Sequence, residues 1–329
     1  MSYSGSSTPA NHLNKSGLWF RVRGVVKKLI PVSVRNWLRP WREPRRRLRL
    51  LYYDHFFRGG TVTRDGFTYT LYPNDVIGRL LFIGTHPALD ELQILKQALT
   101  HFECFIDVGA NIGSVSVPVA RWFDGPVLAL EPVLKNFELL SGNLRLNGVA
   151  DQVVARRVAV GDSNGVTEMH LSGDNSGDHR AGGFTSPGRP SESVELRTLS
   201  DCVSDDRRLR PPFLFKIDVQ GFEGKVVAGA SSLLRSNPCL VLLEFWPEGL
   251  QSNGCRPGDL FRLLDKSGLR TYEVTRPPGL REIESPDELG RLAANFPGEG
   301  YCNLIATNRT LEDVGLADLL RTPSGTLRS

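Results

Sequence analysis

Residues 105–120 read FIDVGANIGSVSVPVA: an apolar run closing on Asp107, a Gly109-Ala110-Asn111 turn, then Gly113 at the head of a helix-spaced stretch. Glycine lets backbone approach a ligand closely, and a helix N-terminus offers N–H groups with no partner inside the helix. That is the physics of a nucleotide turn. The spacing, however, is D-x-G-x-N-x-G rather than G-x-G-x-x-G, and it puts an acid at the strand end. A carboxylate there repels a pyrophosphate and attracts an ammonium or a sulfonium. A second acid, Glu131 in VLALEP, ends the next apolar run, where a carboxylate accepts hydrogen bonds from both hydroxyls of a ribose. Singly, Asp107 reads as a capping acid and Glu131 as a turn residue. Together they point to S-adenosylmethionine, a cationic nucleoside cofactor without phosphates, over NAD.

Methyl transfer from a sulfonium needs alignment above all, and a hydroxyl acceptor also needs a base. Asp218 closes the apolar run FLFKIDV, Glu223 lies just beyond, and Glu244 sits late in LVLLEFW. Charged groups in such surroundings are costly to bury unless paired. Asp218 is the first candidate for the base or for contact with the methionine end, against a salt bridge to Lys216 or a helix cap. Glu223 is either part of the chemistry or a first-turn acid complementing a helix dipole. Glu244 is either an active-site wall or base, or half of a structural ion pair. The glycine-rich loop DNSGDHR holds Asn175, His179 and Arg180, candidates for substrate contact, with a solvent-exposed loop as the plainer reading.

FIDVGANIG, the LEP at 130–132 and KIDVQGFEGKVVAGA at 216–230 together resemble the FkbM family of S-adenosylmethionine-dependent methyltransferases, within the class I superfamily. The resemblance covers roughly residues 100–247 and weakens out to about 307. The first turn is common to the superfamily, whereas K-I-D-V-x-G-x-E narrows it to this family. Family members often carry Glu where this chain has Gln220. The resemblance implies a seven-stranded, mostly parallel sheet flanked by helices, and O-methylation of a hydroxyl on a sugar, glycan or secondary metabolite. It assigns Asp107, Gly109, Asn111 and Gly113 to the cofactor turn and Glu131 to the ribose. The segment from Ala159 to Asp162 falls where such folds meet adenine, or is an ordinary turn.

The elements around these residues follow an α/β rhythm. Apolar runs at 105–108, 126–130, 153–160, 213–219 and 240–245 alternate with helix-spaced stretches, and 271–274 and 301–307 look like later strands. This predicts a Rossmann-like, doubly wound, mostly parallel sheet with helices on both faces. Residues 61–83 alternate around Asp65-Gly66 and predict a hairpin. The expected organisation is a basic, partly disordered or helical extension over 1–50, and a hairpin and helix over 51–99. The catalytic domain then spans 100–310, interrupted at 162–211 by a hairpin at 165–171 and a substrate loop, before a tail at 311–329.

The 329 residues carry a net charge of +4, but residues 1–50 hold twelve Lys/Arg against Glu43 alone, or +11, leaving −7 for the rest. A basic leader, with aromatic residues among its helix-spaced apolar positions over 18–50, suits peripheral contact with an anionic membrane, or packing on the body. The acidic body argues against nucleic acid. No apolar stretch approaches the roughly 20 residues that span a bilayer, and no secretory signal is evident. Five scattered cysteines with no CxxC indicate neither a disulfide framework nor a zinc site, and the histidines do not cluster, so no metal is expected. A cytoplasmic enzyme, held at most peripherally at the inner membrane face, is the expectation. Competing readings are a nicotinamide-dependent oxidoreductase, which calls for the missing G-x-G-x-x-G, and a non-catalytic binding module on the same fold.

Overall fold

The computed structural model describes residues 46–182, 189–275 and 279–320. Most of the leader, 1–45, therefore lies outside the described residues. Helix α1 covers 46–56, and from Tyr53 onward the chain belongs to the second of two compact units, 53–329, which holds the whole α/β architecture.

A hairpin comes first, β1 (Gly60–Arg64) and β2 (Phe67–Leu71), with Arg64 opposite Phe67. Its two-residue turn puts Asp65 at φ 50° and Gly66 at φ 91°, the paired left-handed geometry that matches strand twist. The expected hairpin stops there. Val76–Ile83 is a helix, α2, started by Asp75, whose carboxylate accepts from the Gly78 N–H at 2.7 Å. The cap decides what the apolar run VIGRLLFI becomes. Then follow α3 (Leu89–Ala98), β3 (Cys104–Val108), α4 (Ser116–Trp122), β4 (Val127–Leu130), α5 (Leu134–Leu146) and β5 (Val153–Arg156).

The run at 153–160 is not one strand. It breaks after Arg156, and β6 (Ala159–Gly161) leaves the main sheet to pair with β9 (Ser191–Thr198) in a second sheet of order β6-β9-β7-β8, with β7 (Gly165–His170) and β8 (Arg180–Ala181). The hairpin expected within 165–171 is thus a single strand whose long-range partner is β9. The remaining elements are α6 (Leu199–Ser204), β10 (Phe213–Ile217), α7 (Glu223–Ser236), β11 (Cys239–Phe245), α8 (Pro247–Ser252), α9 (Pro257–Lys266), β12 (Arg270–Thr275), β13 (Gly279–Ile283), α10 (Pro286–Ala293) and β14 (Cys302–Thr307).

Among the described residues the main sheet has eight strands rather than seven, in the order β13-β12-β14-β11-β10-β3-β4-β5. The extra one, β13, is the edge partner of β12 in an antiparallel pair. From β5 to β11 the strands are parallel, and β14 enters antiparallel. Strands β3, β4 and β5 step outward in one direction and β10, β11 in the other, so the chain reverses its winding between β3 and β10. Open α/β sheets bind ligands at that switch, beyond the carboxyl ends of the strands. One core lies on each face: Leu214, Leu242 and Phe105 pack toward the hairpin, α3, α4 and α5, whereas Phe215, Val241 and Ile106 pack toward α6, α7, α9 and α10. Leu311, Val314 and Leu316, expected in a tail from 311, are instead buried in the first core, and 321–329 lie outside the described residues.

Helix α5 also serves as a partner for the hairpin edge. Asn143 Oδ1 accepts from the Thr70 N–H at 2.7 Å and its amide donates to the Ile112 carbonyl at 2.8 Å, while Asn147, one turn on, brackets Thr68. An amide side chain supplies both groups that an unpaired strand edge requires. Asn143→Ala removes the side-chain partner of the half-buried Thr70 N–H and of the buried Ile112 carbonyl. It is expected to lower stability by about 2–4 kcal/mol, read as a lower urea midpoint at unchanged m-value.

Candidate active site

The switch point opens into a cavity of about 770 Å³ lined by the first turn, the ends of β4, β10 and β11, and the loop before β8. In the sheet, Lys216 registers with Asp107 on one side and with Leu242 on the other. Side chains at matched register share a face, and so do residues two apart along a strand. Asp107, Lys216, Asp218 and Glu244 therefore all project on the same side, and Asn303 registers beside Glu244.

These side chains form one connected row. The Ser116 hydroxyl donates to Asp107 Oδ2 at 2.6 Å. Lys216 Nζ lies 3.7 Å from Asp107 Oδ1, 3.1 Å from Asp218 Oδ2 and 3.4 Å from the Gly109 carbonyl. The Gln220 amide donates to Asp218 Oδ1 at 2.8 Å and to Glu244 Oε2 at 2.9 Å. Burial works against the Lys216 ammonium, yet Asp218 and Asp107 outweigh it and hold its pKa above the ordinary lysine value. Burial pushes Asp107 up, against the pull of Lys216 and Ser116. Glu244 is raised well above a normal carboxyl, first by burial and then by Asp218 and Glu223 nearby.

The first turn is forced by its surroundings. Gly109 has φ 81°, and a Cβ there would stand 1.9 Å from the Asp218 carbonyl oxygen, so only glycine lets β3 and β10 converge. Glu131, at the end of β4, accepts from the Asn111 N–H at 2.8 Å and the Val133 N–H at 3.0 Å. Burial outweighs these hydrogen bonds and lifts its pKa to about 7. Beside it, the Asn111 and Asn136 amides both donate to the Ser176 carbonyl, at 2.6 and 2.9 Å, and the Ser176 N–H donates to Asp75 Oδ1 at 2.7 Å. The loop ahead of β8 is thereby fastened at one point to both the first turn and the cap of α2, and it roofs the cavity.

The structure sorts the sequence candidates. Gly109, Asn111, Glu131, Ala159, Asn175, His179, Arg180, Asp218 and Glu244 line the cavity. Four do not. Asp107 is fully buried behind the turn, so its carboxylate meets Lys216 rather than a ligand. Gly113 backs onto Leu140. Asp162 turns to Lys225, 3.6 Å away on α7. Glu223 is buried, its Oε1 accepting from the Val219 and Gly221 N–H groups, which shapes the turn after β10. Asp218 does make the salt bridge to Lys216 while facing the cavity. Among the described residues Glu244 forms no ion pair; its carboxylate accepts from the Gln220 amide. His179 is a neutral acceptor for the Ser172 N–H at 3.0 Å, its pKa lowered by burial. Sequence reasoning missed Asn136, Trp246, Arg189 and Glu299. Of these, only Trp246 carried a signal, two residues past Glu244 at strand period.

Residues 107–264 match the methyltransferase FkbM domain. This part of the chain is an FkbM methyltransferase domain. The protein is similar to methyltransferase sdnD of Sordaria araneosa, 26% identical across 57% of this chain and 80% of that protein. Among solved structures it is similar to methyltransferase FkbM from Methylobacillus flagellatus KT, at 16% identity and TM-score 0.38, over 62% of this chain but only 43% of that one. It is also similar to the O-methyltransferase TomG from Streptomyces achromogenes, at 12% identity and TM-score 0.37, over 66% and 78%. Likenesses this distant carry no argument about chemistry. The match makes residues 107–264 the methyltransferase part of the chain, and it is not a match to a dinucleotide oxidoreductase. Among the described residues no helix is long and apolar enough to cross a membrane, and no His/Cys/Asp/Glu group has the arrangement of a metal site.

Two buried carboxyls give the FkbM domain a distinctive pH response. Burial raises Glu131 and Glu223 to about 7 each, from an ordinary 4.5. Between about pH 4.5 and 7 the unfolded chain has lost these protons while the folded chain keeps them. The native state then binds more protons, so stability falls as pH rises through this window and levels off above it. Glu223→Gln keeps an acceptor at the Oε1 position and cannot titrate. Urea unfolding at pH 5, 6, 7 and 8 should show a falling stability for the wild type and a shallower slope for this variant.

Proposed function

We propose that the protein is an S-adenosylmethionine-dependent O-methyltransferase acting on a hydroxyl of a sugar, glycan or secondary metabolite. One observation carries the cofactor reading: Glu131 and the Asn136 side chain form a buried acceptor cluster facing the cavity. Asn136 Oδ1 and the neighbouring Ser176 Oγ lack a hydrogen-bond partner among the described residues. Such acceptors fit a ligand that brings hydroxyl donors, as a ribose does. The acids Glu91, Asp218 and Glu244 line the same cavity, and its lysine, Lys216, is already engaged by Asp107 and Asp218. That charge pattern favours a cationic, phosphate-free cofactor over a dinucleotide.

When bound, the cofactor supplies an activated methyl group on a sulfonium. Glu131, Asn136 and the Gly109–Asn111 backbone would hold its ribose side. Asp218, braced by Lys216 and Gln220, would face its charged end. Glu244 would take the proton of the acceptor hydroxyl. Its raised proton affinity makes it a stronger base than an ordinary carboxylate, and the Gln220 amide fixes its orientation. A rate that depends on the ionised form rises with pH through the raised pKa of Glu244. The charge of residues 1–50 supports peripheral contact with anionic membrane, which co-sedimentation with anionic and neutral vesicles checks.

Isothermal titration with S-adenosylhomocysteine tests the cofactor reading, and absence of binding to the wild type defeats it. Glu131→Gln should weaken that binding about tenfold or more, the scale of one lost charge-assisted hydrogen bond. With labelled cofactor and an acceptor identified by screening, Glu244→Gln should cut kcat about 10²–10⁴-fold and leave S-adenosylhomocysteine affinity within about threefold.

A further inference from the structure

The end of the cavity away from Glu131 holds its two arginines, each paired with a carboxylate. Arg180, at the start of β8, lines it with a side chain only 4% exposed. Its guanidinium is fixed on three sides. Nε donates to Asp178 Oδ1 at 2.5 Å, the Cζ lies 4.4 Å from the centre of the Trp246 ring, and one Nη donates to both carboxylate oxygens of Glu299 at 3.1 and 3.2 Å. Arg189 shares Asp178, donating to its other carboxylate oxygen at 3.1 Å. The described residues thus give two guanidiniums two carboxylates.

The two carboxylates are unlike. Asp178 is mostly buried and serves both arginines, whereas the Glu299 side chain is 77% exposed, on a loop between α10 and β14. An ion pair with so exposed a partner contributes little, because water competes for the acid and the side chain loses entropy in holding its place. A buried guanidinium, by contrast, needs an anion. If Glu299 turns out to solvent, Arg180, Arg189 and Asp178 retain one positive charge, on a flat fork suited to oxyanions. The seat adjoins Trp246, two residues from Glu244 along the same strand end.

We propose that the methyl acceptor carries an anionic oxygen group, a carboxylate or a phosphate ester, and that it replaces Glu299 on Arg180. Asp178 keeps its hold on Nε throughout, and Glu299 acts as a placeholder on the outer edge of the guanidinium until the acceptor arrives. The exchange swaps one carboxylate–guanidinium contact for another of the same kind and makes or breaks no covalent bond. It also gives the acceptor a fixed point from which its hydroxyl reaches toward Glu244. The inference rests on the methyltransferase reading of this cavity and adds the chemical class of its substrate.

The test is calorimetric titration of the full chain, saturated with S-adenosylhomocysteine, with three probes: benzoate, inorganic phosphate, and neutral benzamide as a control for stacking on Trp246. Wild type should bind benzoate or phosphate, and Glu299→Gln should bind the same anion at least threefold tighter, since the competing acid is gone. Arg180→Lys, which keeps the charge but loses the fork, should bind at least tenfold more weakly. Benzoate alone points to a carboxylate acceptor, phosphate alone to a phosphate ester, and either supports the seat. Benzamide binding as tightly as benzoate, no binding of either anion, or no gain in Glu299→Gln overturns it. Because Glu299 is exposed, that variant is informative even if Arg180→Lys fails to fold. If S-adenosylhomocysteine itself does not bind, the cofactor reading fails, while the anion titrations on the unliganded chain still judge the seat.

Discussion

The site depends on a lysine placed where a lysine is expensive. Lys216 is buried in the central strand β10, between an acid on β3 and an acid at its own strand end. Removing an ammonium from water costs several kcal/mol, and only close, well-directed anions recover it. That requirement fixes the register of β10 against β3, because a one-residue slip would turn Lys216 to the opposite face and leave Asp107 alone in an apolar core. The same ammonium reaches the Gly109 carbonyl, so the turn that opens toward the cavity is tied to charges beneath it. Hydrophobic packing would hold the strands together; the buried charges settle how they are aligned.

This changes the meaning of the most conspicuous acid in the sequence. By sequence, Asp107 and Glu131 are a matched pair of acids at successive strand ends. Glu131 does face the cavity, but Asp107 works from below, neutralising Lys216 so that the lysine presents little net charge. The cavity remains acidic through Glu131, Asp218, Glu244 and Glu91. The acids that face the cavity are thus not the same pair that the strand ends suggest.

What could be read from the chain alone follows the range of each interaction. The parallel strands, α5, the Asp65-Gly66 turn and the place of Glu131 at a strand end come from periodicity or local chemistry, and a window of about ten residues contains the signal. The division of 153–160 into two strands depends on β9, about forty residues downstream, and nothing at Arg156-Arg157 announces it. Gln220 stood out only as a departure from family habit. Its function, one neutral amide spanning two carboxylates, emerges once β10 and β11 are side by side; a third acid there would crowd three negative charges. Arg180 was legible as a candidate, but Glu299, its partner 119 positions away, was not.

The roof over the cavity has a consequence for how such a protein can be divided or recombined. Ser176 lies inside the segment that matches the FkbM domain, yet the carboxylate that grips its amide, Asp75, lies outside it, as do β12, β13 and β14. A fragment cut at the family borders would keep the cavity floor and lose a hinge pin of its ceiling. The loop therefore cannot travel to a relative as an independent cassette. Whatever acceptor preference it encodes is inherited together with a stretch of chain a hundred residues upstream.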